Sequence, residues 1–205
     1  VATLKKLQEA FEAGKPARSV ELDEDELAML KAFSLLTLKP MIYVANMSEE
    51  EISDPQANVY YQRVKELADS EHNQVVAVCA RIEEELSSLE PEEKKVFLND
   101  LGIAESGLDR VIKAAYNILD LCTFLTAGED ECRAWTFRKG MLAPQCAGVI
   151  HTDFEKGFIR AECYKFEDID ALESEQAIKE AGKLRLEGKD YVVQDGDVLH
   201  FRFNV

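Results

Sequence analysis

Apolar residues recur at Val1, Leu4, Leu7 and Phe11, the i, i+3, i+7 spacing that lays one stripe along a helix. Gly14 and Pro16 end it. A second helix is predicted to open at Asp23, where Glu26 completes a box-like start. Leu27, Leu30, Phe33 and Leu36 would form its apolar face. Two such helices suit the foot of a helical hairpin or coiled coil, or equally two ordinary packing helices. The pattern then changes: residues 41–45 are a continuous apolar run with two β-branched positions, as in a buried strand of a parallel sheet. Asp54-Pro55 breaks the chain, 59–68 is predicted helical, and 73–80 reads as a second buried strand. Strand, helix and strand joined by short connections make a βαβ unit. Helices are expected at 80–89, 91–100 and 106–120, with Arg110, Lys113 and Asn117 on the polar side of the last.

From Leu121 the texture changes again. Short alternating strands are predicted at 132–137, 158–166, 191–193 and 198–203, with a short helix at 143–151. Lys139-Gly140 and Asp195-Gly196-Asp197 supply turns. A twisted sheet with a helix laid across it fits this order. No internal repeat or low-complexity segment is present.

The 205 residues permit one large domain or two small ones, and 46% apolar residues suffice for real cores. The net charge is −16. Residues 1–120 hold 13 Lys/Arg against 24 Asp/Glu, and residues 121–205 hold 11 against 16. Such a chain repels a free phosphate backbone unless a local basic face exists, so DNA is not an expected partner. The second part is the better candidate for touching RNA or a ribosome. Five cysteines at 79, 122, 132, 146 and 163 contain no C-x-x-C pair, which argues for free thiols in a reducing cytosol over disulfides or zinc. No run is long and apolar enough to span a bilayer, and no signal peptide is visible. Val1 in place of Met predicts a chain that begins partway through a gene product or follows processing.

The strongest local signal is Asn46-Met47-Ser48-Glu49, at the carboxyl end of a buried strand, where open α/β sheets bind ligands. By spacing alone it also reads as an ordinary helix start with Ser48 as N-cap. GTPases place Asn-Lys-x-Asp here, and the Asp pairs with two guanine hydrogens. Met47 and Glu49 replace the Lys and Asp, which should remove most of a guanine preference. Cys79 and Ala80, ending the second strand, are small enough for a tight turn whose amides could back a base. His151 beside Asp153 suggests acid–base work, but no motif places a nucleophile near them, and structural use is expected. Trp135, Phe137, Phe166, Phe201 and Phe203 are expected in core packing, and Arg133, Arg138, Lys139, Lys156, Arg160 and Lys165 could build a modest positive face.

Phe137-Arg138-Lys139-Gly140, Val149-Ile150-His151-Thr152-Asp153 and Asp195-Gly196-Asp197-Val198 fall in order within the last third and resemble a TGS domain, a small β-grasp-like module. With the upstream stretch from Lys39 to Glu49, the chain resembles the Obg-like ATPases of the YchF type, in the P-loop GTPase superfamily. The resemblance implies α/β plus α+β architecture. Residues 1–38 would be the returning part of an inserted helical domain, 39–120 the second half of the nucleotide-binding domain, and 121–205 the TGS domain. It implies ATP bound and hydrolysed in preference to GTP, with Asn46, Met47, Glu49, Cys79 and Ala80 around the adenine. It also implies ribosome or rRNA association and a cytoplasmic location. No G-x-x-x-x-G-K-[S/T] occurs in the sequence, so nothing here cradles phosphates or places Mg²⁺, which is expected only in a full-length parent. The chain alone is expected not to hydrolyse nucleotide. A second possibility is a non-catalytic TGS module that binds RNA or protein.

Overall fold

In the computed structural model, residues 2–128 and 131–204 are described. The chain divides into two units, Val1–Ile118 and Leu119–Val205. The first opens with α1 (Ala2–Glu12) and α2 (Glu24–Leu30). Asp23 caps α2 as the sequence predicts: its Oδ1 accepts the Glu26 N–H at 2.8 Å, and its own N–H donates to Glu26 at 3.2 Å. The helix is shorter than its apolar spacing predicts. A 3₁₀ turn follows, and Ser34 adopts the left-handed conformation at φ 49°, turning the chain away. Leu27, Phe33 and Leu36 therefore stay exposed, while Leu30 joins Leu7 and Ala17 in a small core.

The next elements are β1 (Ile42–Asn46), α3 (Val59–Ser70), β2 (Gln74–Val78), α4 (Ala80–Ser87), α5 (Pro91–Asp100) and α6 (Gly107–Ile118). β1 and β2 pair in parallel, from Ile42↔Gln74 to Asn46↔Val78, which is the expected βαβ unit. Asn58 starts α3 by accepting the N–H groups of Tyr60 and Tyr61 at 2.8 and 3.0 Å. The core under the strand ends is built from Met47, Ile52, Ala77, Cys79, Ile82, Leu86 and Ile103. Glu71, at the end of α3, gathers three donors on one oxygen: Tyr43 Oη at 2.7 Å, Asn73 Nδ2 at 2.8 Å and Arg18 Nη2 at 3.3 Å. These bonds tie the segment before β1 to the βαβ unit.

The second unit holds β3 (Leu121–Ala127), β4 (Cys132–Arg138), α7 (Ala143–Ile150), α8 (Thr152–Lys156), β5 (Phe158–Lys165), α9 (Phe166–Leu172), α10 (Glu175–Glu180), β6 (Arg185–Glu187) and β7 (Asp197–Phe203). They form one mixed sheet in the order β4-β3-β7-β5-β6, with β3 and β7 parallel and the other neighbours antiparallel. Side chains alternate between two cores. Phe124, Phe137, Cys163, Leu199 and Phe201 meet Ala143, Cys146 and Ala147 of α7 on one face. Leu125, Tyr164 and Val198 meet Ile169 and Ile178 of α9 and α10 on the other. So helices cover both faces, where the alternation predicts one helix laid across.

Four strand readings change. β3, an interior strand carrying Phe124, is absent from the predicted set, because the helix expected to residue 120 runs up to its start and only the left-handed Asp120, at φ 53°, parts the two; the three-residue β6 is too short to show an alternation. The predicted strand at 191–193 is reduced to one bridge, Leu142↔Val192. Tyr191 instead turns its hydroxyl to Asp197 at 2.7 Å. The strand expected at 158–166 stops at Lys165, and Phe166 opens α9 with its N–H bonded to Gly196 O at 2.9 Å.

Candidate functional site

Because β1 and β2 are parallel and in register, the loops beyond their carboxyl ends lie side by side. Asn46, the last residue of β1, joins them: its side-chain oxygen accepts the Ala80 N–H at 3.1 Å. Its amide nitrogen has no partner among the described residues and remains a donor for a ligand. The Met47 N–H extends the ladder to Val78 O at 2.8 Å, so the main-chain group Met47 can offer is its carbonyl. The Met47 side chain is 8% exposed and packs in the core with Cys79 and Ile82. It does not stand where a lysine stem would cover a base. Cys79 is buried beside it, and Ala80 begins α4 at the surface. The Ala80 amide that the sequence reading leaves free is occupied by Asn46.

Glu49 forms an ion pair with Arg81 Nε at 2.9 Å. Ser48 caps no helix: Ile52 N–H returns to Ser48 O at 3.1 Å in a turn, and the Ser48 hydroxyl donates to Glu51 at 2.8 Å. Glu51 also accepts from Asn58 Nδ2 at 2.7 Å, which fastens the loop to the start of α3. These bonds, Ser48 first, lower the Glu51 pKa below its ordinary value. Glu83, two residues beyond Arg81, accepts the Gly107 and Leu108 N–H groups at 2.6 and 3.2 Å and so neutralises the amino end of α6. Gly107 is needed there, since a Cβ would lie 2.8 Å from Val78 Cγ1 and 2.9 Å from Glu83 Oε1. Glu51, Arg81 and Glu83 were not singled out from the sequence, for their partners lie in other elements.

In the second unit, His151 links α7 to α8: its N–H returns to Ala147 O, and its Nδ1 accepts the Asp153 N–H at 3.2 Å. This is a structural use of the Ile-His-Thr-Asp segment. Asp197 is fully buried and accepts from Tyr191 Oη at 2.7 Å and Gln194 N at 2.8 Å, with Lys165 Nζ 2.7 Å from its other oxygen. The six cations of the expected positive face do not converge. Lys165 is committed to Asp197. Arg138 pairs across from Leu121, and Lys139 follows it, at the amino end of β3; Arg133 pairs across from Thr126 near the carboxyl end of β3, and Arg160 and Lys156 lie beside the carboxyl end of β7. With β3 and β7 parallel, these are opposite ends of the sheet. Phe137 and Phe201 are core residues as expected, whereas Phe166 and Phe203 keep exposed surface. Among the described residues no group of three His, Cys, Asp or Glu is placed to hold a metal, and no helix is long and apolar enough to cross a membrane.

A parallel βαβ unit with its polar loops at the strand ends, joined to a mixed sheet covered on both faces, is a mixed α/β architecture. Residues 121–204 match the family YchF-GTPase_C, described as a protein of unknown function. The chain is 59% identical over 202 residues to the ribosome-binding ATPase YchF of Bacillus subtilis, covering 98% of this chain and 55% of that protein. It is 48% identical to the Escherichia coli O157:H7 protein of the same name, covering 100% and 56%. The structure of the Schizosaccharomyces pombe YchF GTPase superposes with a TM-score of 0.81 at 37% identity, over 98% of this chain and 53% of that one. A GTP-binding protein from Pyrococcus horikoshii shares the fold, with a TM-score of 0.57 at 18% identity. The chain belongs to the YchF family and spans about half the length of the curated relatives it matches.

Proposed function

We propose that the chain is the C-terminal portion of a YchF-type nucleotide hydrolase. In this reading the loop of Asn46, Met47 and Glu49, with Cys79 and Ala80, forms part of a base pocket that takes ATP in preference to GTP. The observation that carries it is the Glu49–Arg81 ion pair beside the Asn46–Ala80 bond. A guanine reader needs a carboxylate free to accept two base hydrogens. Here that carboxylate is turned to Arg81 at the start of α4. The pair is exposed and adds at most about 1 kcal/mol of stability, so its role is to aim the carboxylate. The groups left at the strand ends are the Asn46 amide donor and the Met47 carbonyl acceptor. Adenine, with an exocyclic amine beside a ring acceptor, complements that set. Cys79 contributes the buried wall behind Met47.

The residues present suit the base and not the phosphates. ATP with Mg²⁺ would need a phosphate-binding loop from elsewhere in a full-length parent, and this chain alone does not hydrolyse nucleotide. The second unit is read as a TGS domain, supported by its compact mixed sheet with crossing helices and by the ordered motifs around Lys139, His151 and Asp195. The curated relatives are named for ribosome binding, and a cytoplasmic, ribosome-associated parent is the reading that follows.

Two measurements test this. In the full-length parent, Glu49→Asp combined with Arg81→Ala should raise GTP affinity relative to ATP in a fluorescent-nucleotide competition. An unchanged ratio would mean the 46–49 loop does not read the base. Ribosome co-sedimentation with and without ATP analogues then separates a nucleotide-dependent switch, whose pelleted fraction changes, from a pure binding module, whose fraction does not.

A further inference from the structure

Among the described residues β2 has a strand partner on one side only. Gln74 N–H donates to Met41 O and Val78 O accepts from Met47 N–H, so the even-numbered residues of β2 face β1. In a parallel ladder the alternate residues then present their main-chain groups to the opposite edge. Val75 and Ala77 are those residues, and their N–H and C=O groups have no partner among the described residues. An unpaired strand edge is a template for another strand.

This edge is the floor of a groove of about 270 Å³. Tyr61 of α3 and Arg110, Lys113 and Asn117 of α6 line it with the strand, and no residue of β1 does. The polar stripe that the sequence places on the last helix of this unit therefore lines an open sheet edge. Lys113 is already paired with Glu105. Arg110 makes no ion pair among the described residues, and its Nε is buried without a hydrogen-bond partner. In a unit with 23 acidic residues against 13 basic ones, a half-buried guanidinium without a carboxylate is an uncompensated cost. Its fork geometry suits a carboxylate held in one orientation.

We propose that the β2 edge groove receives an extended acidic peptide segment of a partner protein as an added strand. Main-chain bonds to Val75 and Ala77 hold the peptide, and one Asp or Glu side chain reaches Arg110. Main-chain pairing supplies affinity and the side-chain site supplies selectivity, as in other strand-addition complexes. Two open residues on β2 set the span: at roughly 3.3 Å per residue, four to five peptide residues fill the edge.

The test uses this chain and a blocked, fluorescein-labelled pentapeptide of Thr-Val-Glu-Val-Thr. Anisotropy should show saturable binding that falls at least tenfold when Glu is replaced by Gln in the peptide, or with Arg110→Gln in the protein. Arg110→Lys should restore part of it. Amide exchange should slow at Val75 and Ala77 when the peptide is added, a readout that general charge attraction would not move. Equal binding of the Glu and Gln peptides, binding unchanged by Arg110→Gln, or exchange unaltered at Val75 and Ala77 would each overturn the proposal. So would a concentration-dependent dimer that protects the same two amides without peptide, which would assign the edge to a second copy of the chain.

Discussion

Asn46 and Ala80, 34 positions apart, are joined by one bond from a main-chain N–H to a side-chain oxygen at 3.1 Å. It fixes the spacing of the two strand-end loops, and every group proposed to meet a base hangs from one or other of them. Asn46→Leu should cost about 1 kcal/mol in urea unfolding, through the unpaired Ala80 amide. Asn46→Asp keeps the acceptor and places a charge at the amino end of α4, where it is favourable, so its midpoint should stay close to that of the unmodified chain. Equal loss in both variants would show that the bond does not hold the loops.

Two glycines mark close backbone approaches. At Gly157 a Cβ would sit 2.1 Å from Asn204 O, in a place where Asn204 N–H also bonds Gly157 O at 2.9 Å. Backbone cannot swing aside as a side-chain tip can. Gly157→Ala should therefore destabilise more than Gly107→Ala, for which about 1–3 kcal/mol is expected from overpacking. Thermal denaturation of the two variants ranks them, and the reverse order would contradict the tight junction of β5 and β7.

The Glu71 carboxyl is held below the ordinary carboxylate value of 4.5, first by Tyr43 Oη and then by Arg18 and Asn73. The same bond raises the Tyr43 phenol. A carboxyl whose folded pKa is depressed adds stability above its unfolded value, and that stability is lost as pH falls through the folded value. Urea midpoints should therefore drop from about pH 5 downwards, and Glu71→Gln should flatten that drop while lowering the midpoint at pH 7. A pH profile unaltered by Glu71→Gln would remove Glu71 from the linkage.

The five thiols should separate by burial. Cys146 and Cys163 are fully buried, with pKa values pushed up to about 12 and about 11, chiefly by desolvation and then by the Asp197 charge. Burial also raises the half-buried Cys122, and Cys79 lies in the core of the first unit. Cys132 is exposed. An aromatic disulfide reagent at pH 7.5 should label Cys132 first, with Cys79, Cys146 and Cys163 reacting on unfolding. Cys132→Ser should abolish the fast phase, and a fast phase that survives would place a second thiol at the surface.

Much of the first unit was legible because its signals are local. The strands β1 and β2 and the Asp23–Glu26 cap each need residues within one element, and each is found, although β1, expected as a buried strand, has no buried residue and leaves Val44 exposed because it has a strand on one side only among the described residues. The apolar face expected along α2 failed because helix length was decided by a left-handed turn at Ser34, which periodicity does not encode. In the second unit β6 has three residues, and α8, α9 and α10 have five to seven. Such elements are too short to show a period, and they form because a sheet is there to pack against.

The sequence by itself determined that residues 41–80 make a strand, helix and strand, that the last third is a sheet, and that Asn46 and Glu49 stand at a strand end. Those follow from side-chain spacing and backbone preference, which act over a few residues. The tertiary structure alone decided that the Asn46 oxygen would be spent on Ala80, that Glu49 would face Arg81, and that six scattered cations would divide between two ends of a sheet. It also decided that the open edge of β2 would run under Arg110. Each depends on which strands pair and in what direction, and pairing joins residues too far apart in the chain for spacing to report.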